Sequence, residues 1–305
     1  MEKIKIALDW MANANHTGFF TSKALGFYDE HCIDVSIITP DTDDYRTTPA
    51  KKVELDEVDF ALCPFESVIS YHTKKKPFNG VAISALLRED LSAIACLKDS
   101  GIHSPKDLDG KTYASYAARY EDEIVRQMVK NDGGDGNIKI KYPKKLGVWN
   151  TIQDRTTDAT WIFMNWEGVQ AKNQNIALNT FQMKDYGIPY GYSPIIFADA
   201  EKVEQRKVVY RNFLAATKKG YLYAKKNPEA AVAHLAPHIA EGDKNIDLLE
   251  SQKYTGQFYG NEDTWGVIEL PKVLAYLAWL KDKGLEDYTL LGSSLVDSQL
   301  KNSAR

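Results

Sequence analysis

Four short stretches hold most of the side chains able to do chemistry. They are LDWMANANHTGFF (8–20), CPFESVISYH (63–72), SYAARYEDE (115–123) and MNWEG (164–168). A fifth, KDYGIPYGYSP (184–194), places Tyr186, Tyr190 and Tyr192 within seven positions. The first stretch sets the problem. A connection that only turns the chain can use Gly, Pro or Ser. This one carries Trp10, Asn13, Asn15, His16 and Thr17 instead, so it reads as a loop that holds something. Glu66 and Ser67 fall at a helix start, where unpaired N–H groups favour an anion or a polar ligand, or where they simply cap. Ser115, Tyr116, Arg119 and Tyr120 stand at a second strand-to-helix junction, with Ser115 as a plain N-cap the alternative. Trp166 offers a face for a flat ring, and Glu167 a carboxylate for ring N–H or amino groups. A core tryptophan and a helix-start glutamate are the competing roles. The three tyrosines suit either an aromatic pocket wall or a packed hinge.

No catalytic apparatus stands out. His234 and His238 are four apart, but HLAPH contains Pro237 and lacks the glutamate of a zinc helix. There is no G-x-S-x-G. Cys63 with His16 as base is the one nucleophile pairing to consider, against a buried thiol. NDGGDGN (131–137) has the glycines of a phosphate loop, but it follows a helix and has no GK[ST] ending. No catalytic and no metal-ligating residue is therefore expected.

These stretches need elements to position them. KIKIAL (3–8), IDVSIIT (33–39), VDFAL (58–62), VAISALL (81–87), SAIACLK (92–98), a strand opening on Lys111, ATWIFM (159–164) and SPIIFA (193–198) read as strands. Residues 18–29, 65–73 and 119–131 read as helices between them. Such alternation implies βαβ units and a mostly parallel sheet. After residue 203 helices dominate, at 204–226, 228–239, 246–258 and 271–283. The pattern predicts an α/β protein of two lobes, 1–90 plus 193–305 and 91–192, with a helical C-terminal tail. Crossovers near 88–92 and 188–194 would form a hinge. Ligands of open α/β sheets bind beyond the carboxyl ends of strands, where four of these stretches lie. A cleft between the lobes is the expected site.

The 305 residues are 44% hydrophobic and carry a net charge of −4. That charge argues against nucleic acid, which selects a basic surface. Three cysteines without a CxxC argue against a disulfide framework or a cysteine zinc site. No apolar run of about 18 residues exists, so membrane insertion is not expected. Nor does the N-terminus read as a leader, which predicts a cytoplasmic location, or a periplasmic or secreted one if a leader has been removed.

LDWMANANHTGFF followed by ALGFYDEHCIDVSI resembles the opening of the NMT1/THI5-like family. The similarity continues through DEVDFALCPFESVISYH, GKTYASYAARYEDEIVRQMV, DATWIFMNWEG and DYGIPYGYSP. The resemblance implies the fold of type II periplasmic binding proteins and a pyrimidine related to thiamine as ligand. It implies stacking surface from Trp10, Tyr186, Tyr190 and Tyr192. Hydrogen bonds to the ring nitrogens and amino group would come from Asn13, His16, Glu66 and Glu167. Ser115 and Tyr116 would take a polar tail or phosphate. The family's fungal synthase uses a lysine to hold pyridoxal phosphate, a sacrificial histidine and a cysteine-rich iron motif. Cys63, Ser67 and GIPYGYSPIIF stand in those places here. Reversible binding without a cofactor is therefore expected, with a transporter partner only if the chain is exported. The alternatives are a pyrimidine synthase with altered residues, taking Lys111 as its Schiff-base lysine and using pyridoxal phosphate and iron, or a binder of another small molecule such as a sulfonate.

Overall fold

The computed structural model describes residues 1–286 and 294–301. Among the described residues, ten strands form two separate five-stranded sheets. The first sheet contains β1 (Glu2–Ala7), β2 (Ile33–Ile38), β3 (Phe60–Cys63), β4 (Gly80–Ala85) and β10 (Ile195–Asp199), in the order β2-β1-β3-β10-β4. The second contains β5 (Ser92–Leu97), β6 (Thr112–Ala114), β7 (Lys139–Lys141), β8 (Ala159–Phe163) and β9 (Leu178–Phe181), in the order β7-β6-β8-β5-β9. Each is mostly parallel with one reversed strand. β10 runs antiparallel to β3 and β4, and β5 runs antiparallel to β8 and β9. The reversed strand is in each case the one that follows the crossing from the other sheet.

Two compact units follow this division. The first comprises residues 1–90 and 191–274 with the described part of the C-terminal stretch, and the second 91–190 with 275–286. The chain passes between them after Asp90, after Tyr190 and within the C-terminal helix Leu270–Asp282. No helix among the described residues is long and apolar enough to cross a membrane.

Burial explains the strands. β3 and β4 are buried at every position, as the near-continuous apolar runs FALC and GVAISA require of inner strands. β1 alternates more, with Ile4 and Ile6 in the core and Lys3 and Lys5 exposed. The sequence pattern does not predict β7 or β9 as strands. Both are short edge strands, and KIK shows two exposed lysines and no apolar run.

In the first unit, helix α1 (Thr17–Ala24) ends earlier than its apolar pattern predicts, because Leu25 leaves helical geometry and Gly26 turns to φ 71°. Helix α2 (Pro49–Glu54) precedes β3, and α3 (Phe65–Thr73) follows it. In the second unit, α4 (Glu121–Asn131), α5 (Asn150–Gln153) and α6 (Glu167–Asn173) fill the connections. The expected 204–226 helix is two, α7 (Ala200–Gln205) and α8 (Lys207–Lys226), broken at Arg206. Helices α9 (Pro228–Leu235) and α10 (Leu248–Gly256) complete the first unit, and Pro237 diverts the end of the former into a short 3-10 turn.

Candidate functional site

In the first unit the loops after three adjacent parallel strands, β2, β1 and β3, bring chemistry to one end of the sheet. The loop after β1 is built by its own side chains. Asn13 starts a 3-10 turn, Ala14–His16, and its side-chain oxygen accepts the Asn15 N–H at 2.9 Å. Its amide donates to the Met11 carbonyl at 3.1 Å. The His16 ring is fully buried, and its Nδ1 accepts the Asn13 N–H at 3.1 Å. An accepting Nδ1 fixes the neutral tautomer with the proton on Nε2, which donates to Asp9 Oδ1 at 2.8 Å. Two buried tyrosines hold the loop from behind: Tyr221 donates to the Asn15 carbonyl at 2.6 Å, and Tyr259 to that of Ala14 at 2.9 Å.

This arrangement corrects two expectations. Asn13 and His16 do not present their polar atoms outward, because the loop itself uses them. What they present is Asp9, whose side chain is 22% exposed. Among the described residues no hydrogen bond engages its second oxygen. Beside it lie the half-buried Trp10 and Tyr45, their ring centroids 5.8 Å apart, and the Tyr45 hydroxyl donates to the Asp9 carbonyl. Asp9 and Tyr45 were not among the expected site residues. Asp9 was legible as the residue leaving the strand, but Tyr45 comes from a polar segment with no local signal.

Glu66 and Ser67 sit in the first turn of α3, after β3, as expected; Glu66 is buried. The N-cap is Pro64, which supplies no side-chain cap. Cys63 is buried against them. Burial pushes its thiol far above the usual range, a hydrogen bond with Ser67 offsets part of this, and the carboxylates of Asp9 and Glu66 add to the rise. A nucleophilic Cys63–His16 pair is therefore excluded by two facts: the thiol is held neutral, and both histidine nitrogens are in use. In native protein, an iodoacetamide titration followed by mass spectrometry should label the exposed Cys32 and spare the buried Cys63 and Cys96, with all three labelled after unfolding. Rapid native labelling of Cys63 would contradict this burial.

In the second unit the loop after β6 is also internally satisfied, but by carboxylates. Glu121, 4% exposed at the start of α4, accepts from the Tyr113 hydroxyl at 2.8 Å, the Tyr116 N–H at 3.1 Å and the Ala118 N–H at 3.2 Å. Ser115 Oγ accepts the Ala117 N–H at 3.0 Å, and Ala117 holds a left-handed φ of 58°. The amides expected to receive a polar tail through Ser115 and Tyr116 thus already serve Glu121 and Ser115. Arg119 pairs with the buried Glu286, which also accepts from the Tyr120 hydroxyl at 2.5 Å.

Burial raises the Glu121 carboxyl above the ordinary range despite these donors. The native state therefore binds a proton here more readily than the unfolded chain does. The stability this contributes is complete below the ordinary glutamate value and is lost as pH rises through the folded one. Melting curves of wild type and Glu121→Gln should show the wild-type advantage shrinking as pH rises above the ordinary glutamate range; an advantage growing with pH would contradict it.

Trp166 is 4% exposed and so is a core residue, not a stacking face. Glu167 begins α6, is buried, and its Oε2 accepts the Phe163 N–H at 2.9 Å; it lies near enough to Tyr116 to raise that phenol, after the larger effect of burial. The three tyrosines pack against different neighbours. Tyr186 packs edge-on to Phe181, and its carbonyl takes the Asn131 amide at the far end of α4, roughly 15 Å from the Ser115 loop. Tyr190 lies edge-on to Trp161 and Tyr276. Tyr192 belongs to the first unit, is buried, and ties the α3 start to another loop: its carbonyl accepts the Phe65 N–H and its hydroxyl the Glu269 N–H, each at 2.9 Å. Each tyrosine answers to a different local packing need.

The chain has Cys63 and Ser67 where the synthase resemblance calls for lysine and histidine. Lys111 is exposed at the opening of β6, roughly 13 Å along the strand from Ser115 and so at the wrong end of the sheet. Among the described residues no cluster of three or more His, Cys, Asp or Glu is arranged to hold a metal.

Two α/β units, each with a five-stranded sheet carrying a single reversed strand, define a fold shared with solute-binding proteins. The periplasmic aliphatic sulphonate-binding protein of Escherichia coli matches over 100% of this chain and 95% of its own, with a TM-score of 0.69 at 11% identity, a likeness of fold alone. The chain belongs to the NMT1/THI5 like family, which it matches over residues 13–231. The formylaminopyrimidine-binding protein of Halalkalibacterium halodurans is 25% identical over 254 residues, covering 82% of this chain and 74% of the relative. The 4-amino-5-hydroxymethyl-2-methylpyrimidine phosphate synthase of Legionella pneumophila is 26% identical over 232 residues, covering 75% and 71%.

Proposed function

We propose that this protein binds a thiamine-related aminopyrimidine, and that Asp9, aligned by His16 beside Trp10 and Tyr45, is the group that fixes it. The carrying observation is the buried neutral His16, which uses both ring nitrogens to hold one oxygen of Asp9 and so aims the other. A carboxylate beside an indole suits a flat heterocycle with an amino group: the ring stacks and the amino N–H groups donate to the oxygen. The names of the two relatives in this family support the ligand class. Reversible binding without a cofactor is part of this reading. So is handover to a membrane transporter, if the chain is exported.

A sulfonate ligand fits these loops less well. Sulfonates need fixed cationic or N–H donors, whereas the groups beyond β1 and β3 include the part-exposed carboxylate of Asp9 and the buried carboxylate of Glu66. Calorimetric titration with 4-amino-5-hydroxymethyl-2-methylpyrimidine and with a short alkanesulfonate tests the choice. Saturable binding of the pyrimidine alone is expected. Binding of the sulfonate alone would overturn the reading. Binding of pyridoxal phosphate with a Schiff-base absorbance band would turn it toward a synthase.

A further inference from the structure

A buried lysine ties down the turn that carries Tyr45. Lys52 lies on α2, whose Ala50 and Val53 are in the core, so its backbone is fixed. The residue is only 7% exposed, which a lysine tolerates only when its charge is paired. Its Nζ lies 2.8 Å from Asp43 Oδ2, and among the described residues neither side chain has another ion-pair partner. Asp43 belongs to the connection between β2 and α2, two residues before Tyr45. That connection is strained. Asp44 and Tyr45 hold consecutive left-handed φ values of 54° and 57°, a conformation rare for an aromatic residue and kept only where its surroundings impose it. On one side of the strained pair stands the Asp43–Lys52 contact. On the other, the Tyr45 hydroxyl donates to the Asp9 carbonyl, and the ring lies beside Trp10. The Tyr45 N–H donates to the Pro40 carbonyl at 2.8 Å, which closes the turn on itself. Every group in this chain of contacts belongs to the first unit.

We infer that Lys52, acting through Asp43, is a positioning residue for the aminopyrimidine site: it holds the strained turn that keeps Tyr45 beside Asp9, and so sets ligand affinity from outside the site. The ligand here rests on the aminopyrimidine reading, and the coupling of Lys52 to Tyr45 rests on the turn alone. Without the ion pair, Asp44 and Tyr45 relax toward ordinary backbone regions, and the ring leaves Trp10 and the Asp9 carbonyl. Lys52→Met keeps an apolar stem in the core and removes the charge. The Asp43 side chain, 28% exposed, can then turn to water, so the variant should fold.

The test is a double-mutant cycle on Lys52→Met and Tyr45→Ala, read by calorimetry with 4-amino-5-hydroxymethyl-2-methylpyrimidine and by hydrogen exchange of residues 40–48 without ligand. Lys52→Met should weaken binding about tenfold, and Tyr45→Ala by at least as much. The double variant should bind no more weakly than Tyr45→Ala alone, because Lys52 acts only through that ring. Wild-type affinity in Lys52→Met, or losses that multiply in the double variant, would overturn the inference. Asp43→Asn weakens the pair from its exposed end and should shift affinity the same way; it stands in if Lys52→Met does not fold. If wild type binds no pyrimidine, the aminopyrimidine reading fails and hydrogen exchange decides the rest. Faster exchange confined to 40–48 in Lys52→Met or Asp43→Asn supports a turn held by the ion pair. Unchanged exchange there, or acceleration throughout the first unit, overturns it.

Discussion

Alanine at Gly18 is expected to destabilise the first unit by about 3 kcal/mol, the upper end of the usual range for overpacking. A Cβ there would lie 2.1 Å from Cδ2 of Tyr221. The opposing helix cannot simply back away. Gly220 approaches α1 just as closely, and a Cβ on it would lie 2.2 Å from the Gly18 carbonyl oxygen. The Tyr221 ring is itself fixed, edge-on to Phe19 and Tyr259, with its hydroxyl on the Asn15 carbonyl. Moving that ring therefore releases the loop that aims Asp9. Urea unfolding should show the loss, and ligand affinity should fall with it. Gly147→Ala, where a Cβ would meet nothing within 4 Å and φ is not left-handed, should change stability by no more than about 0.5 kcal/mol. A stable Gly18→Ala protein would mean that the two helices are less closely packed than described.

The second large effect concerns His16. His16→Phe roughly keeps the ring volume but removes both hydrogen bonds. It leaves the buried Asn13 N–H without an acceptor and Asp9 without its donor. About 3 kcal/mol of stability should be lost, from one unsatisfied buried amide and one charge-assisted bond. Aminopyrimidine affinity should fall on the order of a hundredfold, because the carboxylate is no longer aimed. The two losses separate the roles. If affinity fell while stability stayed constant, His16 would be a ligand contact as the sequence alone suggested. If both stayed constant, the loop would not depend on it.

The fold was readable because its inner strands are written in nearly unbroken apolar runs such as FALC and SAIACL, and its long helices in a clear 3.6-residue period, as in Ile124, Val125 and Met128. What escaped was decided by neighbours distant in sequence. KIK is a strand only because β6 offers it an edge. Tyr45 joins Asp9 across 36 residues, and Glu286 joins Arg119 across 167. The polar richness of LDWMANANHTGFF marks a loop held by its own side chains. Residue type could not show that Asn13 and His16 face inward and Asp9 outward, because that depends on which backbone amides the loop leaves needing an acceptor. Trp166 and Tyr192 illustrate the converse: aromatic residues in suggestive loops turned out to be buried.

The most direct measurement is calorimetric titration of wild type and Asp9→Asn with 4-amino-5-hydroxymethyl-2-methylpyrimidine and with its analogue lacking the 4-amino group. Asparagine can still accept the His16 N–H, so the loop should keep its shape, but its amide turns a donor toward the ligand's amino group. The account predicts saturable binding by wild type, a loss on the order of a hundredfold in the variant for the amino compound, and little difference between the two proteins for the analogue. Undiminished binding of the amino compound by Asp9→Asn would contradict the central claim that Asp9 fixes the pyrimidine.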